Sequence, residues 1–302
     1  PTDSHTWFEQ WVDYHKTNDY IDTHGTVTLQ RNAKGRLFTN DYDWHGSNVF
    51  WDSIEQNIPN IRHVYMAGGE PMMIERHYEF LQKCIDSGYA KKIIIEYNTN
   101  MTALPPRVLA MWKHFRQVRV GASIDGFGDM VEYQRWPLKW KSAYKNLQKL
   151  DDICVENKNI FAWLACTVTA YNVFHIPEFM WWKLKESGFK KINSSKKRPI
   201  ITHHVAHGPK RTNIKLLSTE LKEELFHHYK LWEEKFIQDN EIDPHTKDNA
   251  VNILDSILKF ANKEDYAQDY LQEFVNFTNY LDKTRNQSIL DVAPQYSKIF
   301  DK

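Results

Sequence analysis

The chain has 302 residues, 41% of them hydrophobic, with 39 Lys plus Arg balanced against 39 Asp plus Glu. That length and apolar content can bury a sizeable core, as one large domain or two small ones. The balanced charge removes the basic footprint of a duplex nucleic-acid binder, and no run of about 18 apolar residues is present to cross a membrane.

The opening PTDSHTWFEQW has neither the basic region nor the apolar stretch of a signal peptide. Cys84, Cys154 and Cys166 lie far apart, with neither a disulfide framework nor local cluster spacing. Both features point to a reducing, cytoplasmic setting, and the balanced charge and lack of a spanning run lead to the expectation of no nucleic-acid or membrane partner. The 11 Trp, 15 Tyr and 16 Phe can fill an interior or line a ligand site, and composition does not choose between the two.

Taken in chain order, HTWFEQWVDYHK has its apolar residues at helical spacing, and TVTLQ and RLFT flank Asn32-Ala33-Lys34-Gly35 as a hairpin. A short helix is predicted near Val49 to Ile58. The pattern then becomes regular. IRHVYM, KIIIEYN, VRVGASI and IFAWLACTV read as strands. They are followed in turn by the helices ERHYEFLQKCIDSG, PPRVLAMWKHF, KWKSAYKNLQKL and IPEFMWWKLKESG. Apolar strands alternating with helices indicate parallel βα units. A doubly wound sheet and a barrel fit that pattern equally well, and in both a ligand sits at the carboxyl ends of the strands. One or two further strands are expected between Phe189 and Leu217. Helices follow over ELKEELFHHYKLWEEKF, NILDSILKFA and DYAQDYLQEFVNFTNYLDKT.

Gly68-Gly69-Glu70-Pro71 follows a predicted strand and precedes a helix. Paired glycines permit a tight turn and close approach of backbone to a ligand, although an ordinary βα turn uses the same residues. Asn98, Thr99 and Asn100 end the next strand, where Asx and Thr side chains also cap turns. Ser123 and Asp125 end the third, and Arg135 follows; a hydroxyl and a guanidinium fork suit a carboxylate. Cys166 reads as a small core residue. The His203, His204, His207 trio sits in strand or loop context that does not favour a shared metal.

In this order, MAGGEP, EYNTNMT, SIDG and YQRWP resemble the radical S-adenosylmethionine (SAM) superfamily. Within it they are most similar to the twitch-domain group related to the SPASM peptide-modifying enzymes. The resemblance covers roughly residues 1–217 and, more weakly, LDKTRNQSILDV. It implies an α/β fold: a partial (β/α) barrel of the radical SAM type lacking its first strand over 1–217, and a helical C-terminal extension over 218–302. It further implies that Gly68, Gly69 and Glu70 hold the methionyl amino group of SAM. Asn98 would meet the ribose or amino-acid part, and Ser123 and Arg135 the carboxylate. Asp125 joins this set or shapes the turn before Gly126, and Val168 would meet adenine.

The family generates a 5′-deoxyadenosyl radical with a reduced [4Fe–4S] cluster on a CxxxCxxC loop. This sequence has no such motif. PTDSHTWFEQW resembles the text after the third cysteine in twitch relatives, so the cluster ligands are expected upstream of Pro1. No cysteine follows Cys166 to hold an auxiliary cluster. The expectation is therefore a radical SAM enzyme in full-length form, supplied by a reductant and acting on a peptide or small-molecule substrate, with these residues alone inactive. The alternative is a non-catalytic binding or scaffold module on the same barrel.

Overall fold

The computed structural model describes residues 30–31, 37–38, 48–192, 199–264 and 268–300. The expected first helix and the turn of the hairpin lie outside these residues. The hairpin strands are present: β1 (Gln30–Arg31) pairs antiparallel with β2 (Leu37–Phe38), Gln30 opposite Phe38. Helix α1 (Asn48–Gln56) follows.

The βα alternation runs as expected through β3 (His63–Met66), α2 (Glu75–Asp86), β4 (Ile94–Thr99), α3 (Pro106–Trp112) and β5 (Gln117–Ser123). It continues through α4 (Gly128–Gln134), α5 (Trp140–Glu156), β6 (Ile160–Val168), α6 (Ile176–Lys185) and β7 (Thr202–Val205). Helices α7 (Thr219–Gln238), α8 (Pro244–Ala261), α9 (Gln268–Arg285), α10 (Ile289–Val292) and α11 (Ser297–Phe300) complete the chain. The five longer strands form one parallel sheet in the order β3-β4-β5-β6-β7. A doubly wound sheet reverses its strand order at a switch point. Here each strand's neighbour in space is its neighbour in sequence, which is the arrangement of a partial β/α barrel.

Two compact units make up the chain. One holds the described residues up to Asn98 with Pro105–Val118; the other holds Thr99–Leu104 and the described residues from Arg119 on. In the first unit β3 and β4 pair in parallel, Val64 beside Ile95 and Met66 beside Tyr97. Tyr78, Leu81 and Cys84 recur at helical spacing on α2 and are buried. Tyr97 of β4 meets His77 of α2 and the Trp112 ring of α3 at ring-centroid distances of 5.5 and 5.4 Å.

In the second unit β6 alternates strictly. Ile160, Ala162, Leu164, Cys166 and Val168 are buried and their neighbours half-buried. A one-residue slip of register would move all five from the buried to the half-buried face. The abundant aromatics largely fill the interior: Trp182 of α6 stacks on Phe127 at 5.3 Å and 10°, and meets Trp140, Tyr144 and Phe189 at 5.2, 5.7 and 5.8 Å. Asp151 of α5, buried, accepts the backbone N–H groups of Lys190, Lys191 and Ile192, each at 2.7 Å. That carboxylate ties down the segment leading towards β7. Helix α7 starts at Ser218, whose Oγ accepts from Leu221 N, and α8 starts at Asp243, which accepts from Thr246 N.

The late helices grip the turn after β6. Tyr229 of α7 donates to the Val173 carbonyl at 2.6 Å, and His228 Nε2 lies 2.9 Å from the Phe174 carbonyl. The Tyr296 hydroxyl donates to the Ala170 carbonyl. Tyr171 shares a hydrogen bond with Thr278 at 3.1 Å, and Tyr133 donates to Asp282 at 2.7 Å.

Candidate functional site

In the first unit the chain leaves β3 through Gly68 and Gly69, with φ of +87° and +60°. Side chains with a Cβ resist that left-handed region. A Cβ at Gly68 would meet no atom within 4 Å, so the space beside the backbone is open. Neither glycine's backbone is hydrogen-bonded among the described residues. Glu70 turns inward instead. It is 1% exposed, its carboxylate accepts the Met72 N–H at 3.2 Å, and its carbonyl accepts the Met73 N–H at 3.0 Å. It caps the short 3₁₀ turn Pro71–Met73. Asn98, at the end of β4, donates to the Tyr65 hydroxyl at 2.7 Å.

Below this loop, His77 Nε2 lies 2.9 Å from the Tyr97 hydroxyl, and its buried Nδ1 has no partner among the described residues. Burial, helped by the positive charge of Arg107, pushes the imidazole down to about 4 and keeps it neutral.

In the second unit Asp125 and Arg135 come together. Asp125 is 4% exposed; its Oδ1 accepts the Thr167 N–H at 2.7 Å, and its Oδ2 lies 2.7 Å from Arg135 Nε. That ion pair is close but off-axis, since the Nε–H does not align on the oxygen for a hydrogen bond. Only the Nε edge of the guanidinium is used, so its two-pronged Nη end has no partner among the described residues. Asp125 therefore orients Arg135. Ser123 makes no hydrogen bond with it among the described residues. Next to Arg135, Gln134 reaches the Thr167 carbonyl only at 3.5 Å, and its Oε1 is a buried acceptor with no partner among the described residues.

Val168 is fully buried, and its carbonyl accepts the Ala206 N–H at 2.9 Å. On the half-buried face of β6 its neighbour is Thr167. In the NTN turn Met101 has φ +61°, and Asn100 Oδ1 accepts the Thr102 N–H at 2.9 Å. That is an Asx turn, as its sequence allowed.

The residue that sequence reasoning missed is Asn172. It is fully buried, donates through Nδ2 to the carbonyls of Asp125 (2.8 Å) and Thr167 (3.0 Å), and accepts the Thr169 N–H at 2.8 Å. It locks the end of β6 to the residue that orients Arg135. Its only sequence signal was an Asn in a short turn after a strand. His175 sits beside it and accepts the Phe127 N–H at 3.3 Å; burial pushes it to about 4.

The cysteines do not suit an iron–sulfur cluster. Cys84 lies on α2, Cys154 on α5 and Cys166 on β6, all three free and buried. Burial pushes the Cys84 thiol up to about 12 and Cys166 well above its usual value, whereas a cluster needs thiolates. Among the described residues no three His, Cys, Asp or Glu side chains could hold a metal, the His203, His204, His207 trio included. His203 instead faces Ser256 Oγ at 2.9 Å.

A scan against protein-family models gives no match for this chain, and no curated protein shows significant similarity to it.

Proposed function

We propose that the chain is the SAM-binding part of a radical SAM enzyme acting on a peptide or other substrate. The observation that carries the reading is the pair of left-handed glycines just after a parallel strand, with no atom within 4 Å of a Cβ at Gly68 and a glycine backbone that makes no hydrogen bond among the described residues. Backbone carbonyl groups so placed suit the methionyl ammonium, which only donates. In the second unit, the Nη edge of Arg135, oriented by Asp125, suits a planar carboxylate. The buried acceptor of Gln134 would take an N–H donor. The three buried cysteines, set apart on α2, α5 and β6, give a [4Fe–4S] cluster no ligands here, so this chain's own work in the reading is to bind and orient SAM.

The test starts with the coding sequence immediately before Pro1. A CxxxCxxC motif there, and 5′-deoxyadenosine released from SAM by the anaerobically reconstituted longer protein, would support the reading. A missing motif, or a loaded cluster that leaves SAM intact, would overturn it in favour of a binding module.

A further inference from the structure

Strands β3 and β4 have two unlike faces. On one, Ile95 and Tyr97 are fully buried against the helices. The other carries His63, Tyr65, Glu96 and Asn98, and Tyr65 is 56% exposed there. In register Tyr65 lies beside Glu96 and His63 beside Ile94, so one diagonal step is used twice. His63 Nε2 lies 3.3 Å from Glu96 Oε2, and Asn98 Nδ2 donates to the Tyr65 hydroxyl at 2.7 Å. Parallel strands packed on both faces carry Val, Ile and Leu on both. This face is instead polar, paired and open.

The pairing fixes what remains for a ligand. Asn98 donates to the Tyr65 oxygen, so the phenolic proton points away as a donor. His63 Nε2 faces Glu96 Oε2, and in the Nε2–H tautomer its Nδ1 is left as an acceptor. Asn98 keeps its Oδ1 as a second acceptor. Among the described residues, His63, Tyr65 and Asn98 make no other side-chain hydrogen bond. A donor and two acceptors thus lie beside an exposed aromatic ring. Hydroxyl groups both donate and accept, and the C–H face of a saccharide ring packs on an aromatic surface. A carboxylate would find a single donor and face Glu96, while an ammonium would leave the phenolic proton unused.

We propose that this face binds a neutral, polyhydroxylated ring of the saccharide type. As a substrate class this rests on the SAM-enzyme reading; as a binding site it does not. Tyr65 stands three residues before Gly68, so a ring on this face would lie along the strand that leads into the glycine loop.

The experiment is saturation-transfer difference NMR on the whole chain. The probes are methyl β-D-glucopyranoside and methyl β-D-galactopyranoside, with N-acetylglycinamide as an amide comparison. The expected result is transfer to ring C–H protons of at least one sugar and none to the amide. Tyr65→Ala should reduce it by about fivefold or more and Asn98→Ala by a smaller factor. These side chains are exposed or half-buried, so the variants should unfold close to the parent; Tyr65→Phe, which keeps the ring, should retain part of the signal. No transfer from any sugar, equal transfer to the amide, or transfer unchanged by both alanine variants would overturn the proposal. Sugar binding in a longer protein that does not cleave SAM would sink the enzyme reading alone; SAM cleavage without sugar binding would sink only this inference.

Discussion

Replacing Asn172 with alanine should destabilise the second unit severely. The side chain has no exposed surface, and its three good hydrogen bonds run from 2.8 to 3.0 Å. Alanine would leave the Asp125 and Thr167 carbonyls and the Thr169 N–H without that partner. Each buried polar group left unsatisfied costs about 1–3 kcal/mol, and a water entering the vacated space would return part of it. The expected loss is thus about 2–5 kcal/mol. Asn172→Asp should be worse still at neutral pH, because an anion would face two carbonyl oxygens, and acid should relieve it. The assay is urea unfolding followed by tryptophan fluorescence, with hydrogen exchange locating the loss. A change below about 1 kcal/mol, or lost protection confined to the first unit, would show that the Asn172 bonds do not support the turn.

His77 is held near 4, below its unfolded value of about 6.5, so its neutral form stabilises the fold fully above that pH and the contribution fades as pH falls towards 4. The difference corresponds to about 3 kcal/mol at most; His77→Phe should flatten the acid limb of the melting-temperature profile, and identical limbs would contradict this. In a longer, cluster-loaded protein, Arg135→Ala should weaken calorimetric SAM affinity by about 10-fold to 150-fold, with partial rescue by Arg135→Lys. Unchanged affinity would remove Arg135 from the carboxylate role. The native chain should show no fast-reacting thiol towards a disulfide reagent and three after denaturation, since all three cysteines are buried. A rapid native reaction at Cys84 would mean that α2 opens readily.

Most of the βα alternation was legible, because strands of four to nine residues and amphipathic helices leave strong periodic signals. Helix α4 was not: seven residues starting at Gly128, with φ +59°, read as part of a loop around DGFGD. The choice between a doubly wound sheet and a barrel needed the strand order, which periodicity does not carry. Gly68 and Gly69 were readable as a special turn because their conformation follows from having no side chain. The Asp125–Arg135 pair was not, since Arg135 was read as facing a ligand and Asp125 as joining it or shaping the turn before Gly126, rather than as facing each other. The polar face of β3 was present as alternation in HVYM, but the segment was read as continuously apolar. Asn172 acts through carbonyls 47 and 5 residues away, contacts that no local pattern announces.

The clasp between Tyr296 and the Ala170 carbonyl spans 126 residues of chain. On the ribosome, the turn after β6 emerges long before its last partner exists. At the usual pace of synthesis, roughly 6–25 s separate the two residues. During that interval Tyr171 lacks Phe274 and Phe174 lacks Tyr296, the rings they end up against, and that part of the apolar surface stays open to water or to chaperones. The second unit is thus built to close late, and a ribosome stalled within α9 should hold a nascent chain far more sensitive to protease than one released after residue 300.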